Sequence, residues 1–392
     1  MSTCLPCVLL MQTQNLMHKL LRYLLLTATL AAMTGYAFWT QERPVGLYLS
    51  DLRSELSLDQ GSNNDKGNLL GIQPELFAGD YQSPERLKLK LAAYLDNARN
   101  LGLINSKTVV VLPEHIGTWL VANGEKPETY QATTLNEAMT WVAVSNPLKL
   151  LRALFNAQGE DRLTDALFRM KAPYMAATYQ DLFGGLAKRY GVTLVAGSIV
   201  LPEPRVENGQ LIAGDGPLYN VSQTFASDGS PLGQPQRKVI PIIDEQGFTA
   251  SAQPSELQVL DTPAGRLGVL VCADSWFPEN YAALAQQQPK LLAVPAFLTG
   301  NGNWDKPWGG YNGAATPADV TRKAGELSEG EAWQEMAMPG RLSQAVASAG
   351  ITVYMRGQLW DLGSDGNSML ATVQQHQLTK PGSGARLINL WL

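Results

Sequence analysis

Apolar residues recur along this chain with two different periods. In "PERLKLKLAAYLDNARNLGL", residues 84–103, Leu87, Leu91, Leu95 and Ala98 fall three or four apart, which predicts a helix with one buried face. "TVVVLPEH", residues 108–115, is a β-branched run stopped by proline, so it predicts a buried strand ending in a loop. Helical spacing then returns over 130–190, where Leu163, Ala166, Leu167 and Met170 follow i, i+3, i+4, i+7, and Leu182, Phe183, Leu186 and Tyr190 line up similarly. "VGLYLS" (45–50) reads as a short strand, and "VTLVAGSIVL" (192–201) and "PKLLAVPAF" (289–297) as buried ones. Residues 218–241 read as a hairpin about an Asp-Gly turn, and "SELQVLDTPAGRLGVLVC" repeats that arrangement. A Gly- and Trp-rich loop begins at 300 and extends to about 335, a helix is expected around 339–349, and strands follow from 350. Strands that are apolar on both faces, mixed with helices, imply sheets covered by helices in a layered α/β domain. No repeat interrupts it, so residues 44–392 form one domain with a helical insert around 130–190.

The N-terminus departs from this pattern. After Lys19 and Arg22, "YLLLTATLAAMTGYAFWT" (23–40) carries no charged side chain, which is near the lower length limit of a membrane-spanning helix. "MTGYA" is a poor cleavage site, Tyr36 and Trp39 suit an interface, and the basic residues place 1–22 as a cytoplasmic stub. The expectation is an uncleaved single-pass signal anchor, with the lipid bilayer as partner of 23–40 and the remainder on the exported side. Met17 is a second candidate start.

Composition adds exclusions. A formal net charge of −5, with no basic stripe, argues against nucleic acid as a partner. Cys4 and Cys7 form a C-x-x-C with no second pair to complete a zinc site. Cys272 is then the lone thiol of the exported part, a liability in an oxidising compartment unless it is buried or used.

Cys272 lies at the end of "GVLVCADSWFPE", where a strand runs into a turn. Two other ionisable residues occupy similar strand ends: Glu114 in "VVVLPEH" and Lys238 in "PQRKVIP". Taken singly, each is more often core or surface than functional. Together they form a chemical set. A thiol attacking a carbonyl or nitrile carbon needs a base, which Glu114 supplies, and a cation that favours the thiolate and the oxyanion, which Lys238 supplies. The Ala273 backbone N–H is a second oxyanion donor.

"LPE", "RKxxP" after a hairpin and "G-V-L-V-C-x-D-x-x-F-P-E" occur in the order found in the nitrilase (carbon–nitrogen hydrolase) superfamily, which this chain resembles over roughly 44–380. The resemblance implies a four-layer α-β-β-α sandwich, pairing into a homodimer, and a Glu–Lys–Cys triad acting through a thioester, with no cofactor and no metal. By position Glu114 is the general base, Lys238 the oxyanion stabiliser and Cys272 the nucleophile. "QRKVIPIIDEQGF" is most similar to the aliphatic-amidase branch, in which a second carboxylate follows the lysine; Glu245 is the nearest candidate, about one residue short in spacing, and Asp244 the alternative. Arg341 resembles the family's structural or dimer-supporting arginine.

The 130–190 and 300–335 stretches are longer than the family's usual connections, and both are expected near the pocket mouth. The implied activity is hydrolysis of a small-molecule amide outside peptide bonds. The alternatives are N-acyl transfer, as in the similar but multi-span apolipoprotein N-acyltransferases, nitrile hydrolysis, and a non-catalytic scaffold on the same fold. A Cys–His protease needs a histidine partner, and His18, His115 and His376 are badly placed for it; G-x-S-x-G is absent.

Overall fold

The computed structural model describes residues 5–44, 46–380 and 382–392, with side chains from residue 14 onward. Helix α1 (Leu5–Gln41) is followed by α2 (Pro84–Asn100), α3 (Pro127–Gln131), α4 (Leu135–Ser145), α5 (Pro147–Asn156), α6 (Arg162–Tyr179) and α7 (Gly185–Tyr190). Then come α8 (Ile243–Gln246), α9 (Pro278–Ala285), α10 (Glu329–Met336) and α11 (Met338–Arg341).

Two sheets form the centre. In the first the strands run Ser54–Gln60, Ala385–Trp391, Asn68–Gln73, Thr108–Val111, Thr193–Val195, Leu218–Phe225, Pro231–Arg237, and Ile199–Pro202 also pairs with 218–225. In the second they run Val259–Thr262, Gly265–Val269, Leu291–Ala296, Ala349–Tyr354, Met369–Thr372, His376–Leu378. The period of two in each strand sorts its side chains between layers. Leu69, Val109, Val111 and Val195 of the first sheet meet Val269, Ala293, Ile351 and Val353 of the second in one buried cluster. Leu70, Ile72, Val110 and Leu194 point the other way, onto Leu91 and Leu95 of α2, Met175 and Tyr179 of α6 and Leu186 of α7. Leu270, Leu292 and Val294 of the second sheet likewise pack on Tyr281 and Leu284 of α9, Met338 of α11 and Leu342. The result is the α-β-β-α sandwich. Gly71 lies where the sheets come closest: a Cβ there would stand 2.6 Å from Ile388 and 2.8 Å from Ile351.

Several expectations are corrected. Residues 46–50 form no ladder: Leu47 and Leu49 are fully exposed, and the segment is held by side chains, with Arg86 donating to the Gly46 carbonyl and Ser50 to Asp80. The first strand is instead Ser54–Gln60. The run 192–201 is two strands, broken by Gly197 at φ +67°. The helix expected at 339–349 is only α11 and one 3-10 turn, Leu342–Ala345, stopped by Val346 at φ +63°. The 130–190 insert folds as helices over the outer face of the first sheet, and none of its residues lines the cavity beside Cys272.

At the N-terminus the helix runs on through the expected 1–22 stub, from Leu5. Its apolar portion Gln14–Gln41 is long enough to cross a membrane and is unburied, although a signal sequence has the same character. Cys4 lies outside the described residues.

Candidate active site

Three strand ends converge at one rim of the sandwich. The 108–111 strand is extended by Leu112, whose N–H donates to Val195, and then Pro113 ends the ladder. Glu114 follows, and His115 adopts φ +60° with its N–H on Ser198 Oγ. Gly197 passes so close beneath this turn that a Cβ would stand 2.0 Å from the Pro113 carbonyl oxygen. Lys238 leaves the 231–237 strand with its N–H on Asn220 and its carbonyl accepting from Ala252. Cys272 opens a 3-10 turn, Cys272–Trp276, at φ +49°, a left-handed conformation that side chains rarely occupy and that marks a sharp elbow.

The buried side chains meet there. Lys238 Nζ donates to Glu114 Oε1 at 2.8 Å and to Glu245 Oε2 at 2.5 Å. Asn220 Nδ2 bridges the same carboxylates, 2.9 Å from Glu114 and 2.8 Å from Glu245. The Cys272 thiol faces this group and donates to the Phe297 carbonyl at 3.6 Å. Glu245, rather than Asp244, is the second carboxylate: Asp244 is exposed, whereas the single turn of α8 carries Glu245 back against Lys238.

The electrostatics follow from burial and pairing. Burial alone would pull the Lys238 ammonium down, but Glu114 and Glu245 outweigh it and hold its pKa well above the usual lysine range. Burial would raise the Glu245 carboxyl, yet Lys238, with His115 and Asn220, brings it below its ordinary value. Burial, then Glu114, push the Cys272 thiol well up, more than Lys238 pulls it down. The site therefore favours the neutral thiol, in keeping with its need for a base: in a dry site next to a carboxylate, one lysine shared by two carboxylates does not stabilise a further anion enough.

Sequence reasoning missed two polar residues. Asn220 stands mid-strand among apolar neighbours and carried no local signal. Asp274, two residues after Cys272, is fully buried. Its Oδ1 accepts from the N–H groups of Val239 and Ile240 at 2.9 and 2.7 Å, and its Oδ2 from Val271 at 3.2 Å. It joins the segment carrying Lys238 to the elbow carrying Cys272. Burial raises its carboxyl to about 7.

His115 lies beside the carboxylates, 3.5 Å from Glu245 and 3.9 Å from Glu114. Glu114, His115 and Glu245 are spaced as metal donors, but Lys238 Nζ already occupies the position between the two carboxylates. Arg341 bonds outside this group: it holds Asp319 and the Met336 carbonyl.

Cys272 opens into a cavity of about 270 Å³. Its walls include Trp276, Trp308, Tyr311 and Trp333 from the 3-10 turn, the 300–328 loop and α10. Ala273 also lines it, and its N–H makes no hydrogen bond among the described residues. Two carboxylates line it as well: Asp244, and Glu329, which accepts from Trp333 Nε1 and which burial raises. The expectation that the 300–335 stretch borders the pocket agrees with this lining.

The family model "Carbon-nitrogen hydrolase" matches residues 159–319, a span that holds Lys238, Glu245 and Cys272 but not Glu114. A deaminated glutathione amidase of Yersinia enterocolitica is 32% identical over 124 residues, 31% of this chain and 43% of that protein. Nitrilase 2 of Arabidopsis thaliana is 30% identical over 122 residues, 28% of this chain and 36% of that protein. The matched part of the chain thus spans less than half the length of these curated relatives. A mutant of an amidase of the nitrilase superfamily from Nesterenkonia AN1 superimposes with a TM-score of 0.49 at 16% identity, covering 84% of this chain and 92% of that one.

Proposed function

We propose that this chain, a member of the nitrilase (carbon–nitrogen hydrolase) superfamily, cleaves a non-peptide amide C–N bond through a thioester on Cys272. The observation that carries the reading is Lys238 Nζ bridging Glu114 and Glu245 beside a buried thiol at the floor of a cavity.

Glu114 takes the thiol proton as Cys272 Sγ attacks the amide carbon, so the thiolate forms only when its charge can pass to the carbonyl oxygen. An ammonium has three N–H donors; Glu114 and Glu245 use two, leaving the third for the oxyanion, with the free Ala273 N–H as its partner. Collapse breaks the C–N bond, and Glu114 returns the proton to the departing nitrogen. Water then gives a proton to Glu114 and its oxygen to the thioester carbon. The second collapse releases the acid, and the sulfur recovers its proton from Glu114. Glu245, held ionised by Lys238, keeps that lysine charged and in place throughout.

The long apolar helix supports an anchored, exported placement of the catalytic domain. It also favours one second reading, in which an amine, in place of water, accepts the acyl group. Both are tested by intact-mass measurement of the full chain in mild detergent after exposure to pooled small amides and to phospholipids. An acyl adduct that disappears in Cys272→Ala is expected, and its mass names the acyl donor. No adduct from any amide, and no hydroxamate when hydroxylamine is added as acceptor, would sink the proposal.

A further inference from the structure

Helix α5 is apolar on two faces. Leu150, Ala153 and Leu154, with Ala157 just beyond the helix, pack on Ala166 and Met170 of α6. Leu148, Leu151 and Phe155, at i, i+3 and i+7, share another face and are 81%, 54% and 80% exposed. A second stripe of large side chains turned to water is costly unless something covers it.

The fold says where that face sits. The C-terminal end of α1 is fastened to the corner from which α5 starts. Tyr36 Oη donates to the Val144 carbonyl at 2.5 Å, and the Trp39 ring lies 6.4 Å from that of Trp141. Arg43 donates to the Ser145 carbonyl and to Asn146 Oδ1 at 3.1 and 3.2 Å. Residues 23–40, at about 1.5 Å per residue, match a hydrocarbon core of about 30 Å, so Tyr36 and Trp39 fall at its far interface. Val144 is then at headgroup depth, and α5 begins at Pro147, only a few residues on. The charge fits as well. From Trp141 to Gly159 the charged residues are Lys149 and Arg152, both exposed, in a chain of net charge −5.

We propose that α5 lies in the surface of the anionic bilayer that α1 crosses. Leu148, Leu151 and Phe155 enter the acyl boundary, and Lys149 and Arg152 meet lipid phosphates. The inference rests on reading α1 as a membrane anchor. It adds a second point of attachment beside the fastened end of α1, which sets the tilt of the body on the membrane surface.

The test uses the full chain with Cys4→Ser and Cys7→Ser, in nanodiscs containing brominated lipids. A fluorophore is placed in turn at Leu26→Cys on α1, Phe155→Cys on α5, and Val373→Cys, an exposed control on the second sheet's outer hairpin. The label at 155 is expected to be quenched about twofold or more relative to that at 373, and more so when anionic lipid replaces zwitterionic. Quenching at 26 but not at 155 overturns this inference and leaves the anchor standing; loss of both removes the anchor as well. A 155-to-155 disulfide between two copies in place of quenching overturns it in favour of self-association. Quenching indifferent to lipid charge overturns the assignment of Lys149 and Arg152.

Discussion

Replacing Asp274 isolates the joint between the segments that carry Lys238 and Cys272. In Asp274→Ala the buried N–H groups of Val239, Ile240 and Val271 lose their acceptor. At about 1–3 kcal/mol for each of three stranded donors, the loss is on the order of 3–9 kcal/mol, a large share of the roughly 5–15 kcal/mol that holds a domain folded. Asp274→Asn keeps an acceptor for Val239 and Ile240 but turns an amide N–H toward the Val271 N–H, costing about 1–3 kcal/mol. Both variants also separate from the wild type by pH. Burial raises the Asp274 carboxyl from the ordinary 3.8 to about 7, so the folded chain binds this proton more tightly than the unfolded chain. The stability it contributes is present in full below about pH 4 and is lost as the pH rises through 7. At 1.36 kcal/mol per unit, that slope amounts to about 4 kcal/mol at most. The assay is urea unfolding of the full chain in mild detergent, followed by tryptophan fluorescence, at pH 5 and pH 8. The wild-type advantage over Asp274→Asn should be larger at pH 5. An advantage that grows toward pH 8 would mean that the three N–H groups hold the carboxylate ionised, and the reasoning from burial would be refuted.

Other expectations can be checked in parallel. Lys238→Met leaves Glu114 and Glu245 buried against each other without their cation, and should cost about 3–5 kcal/mol in the same unfolding assay; an unchanged midpoint contradicts the pairing. Iodoacetamide should modify Cys272 slowly at pH 7 and faster only above the ordinary thiol range, because burial and Glu114 raise its pKa. Glu114→Gln removes the nearby negative charge, so it should move that rise to lower pH while abolishing acyl-adduct formation from amides. Both readouts are mass spectrometric, and a shift to higher pH would contradict the assignment. Gly197→Ala places a Cβ against the Pro113 carbonyl at a positive φ, and should cost roughly 2–4 kcal/mol and lower adduct formation through displacement of Glu114.

What could be read from the sequence was whatever local pattern controls. Glu114 and Cys272 each follow an apolar run that ends abruptly, so strand periodicity places them at one kind of position, whereas Lys238 closes the largely polar second arm of a hairpin and was legible from the turn and the proline after it. The layers were legible for the same reason, since alternating positions of the 108–111 and 291–296 strands face different neighbours. Asn220 was silent because a polar residue inside a strand looks the same whether it faces water or two carboxylates. The role of Glu245 depends on a one-turn helix folding back, which residue spacing does not encode. The upward push on the Cys272 thiol could not be read from its sequence neighbours, because burial is a property of the assembled fold. Residues 46–50 have strand composition but no neighbour to pair with, and 192–201 hides a left-handed glycine within an apolar run.

The position of the 385–391 strand governs when this molecule can become complete. It lies between Ser54–Gln60, its parallel neighbour, and Asn68–Gln73, its antiparallel one, so until the ribosome has made it the edge strand Ser54–Gln60 has nothing that joins it to the rest of the first sheet. The neighbours that wait for it are separated from it by more than three hundred positions, a closure that is slow by topology alone. Until then Ser54–Gln60 and Asn68–Gln73 present hydrogen-bonding edges that a chaperone or translocation machinery can hold. The first sheet is consequently closed only after every other strand of both sheets has been made.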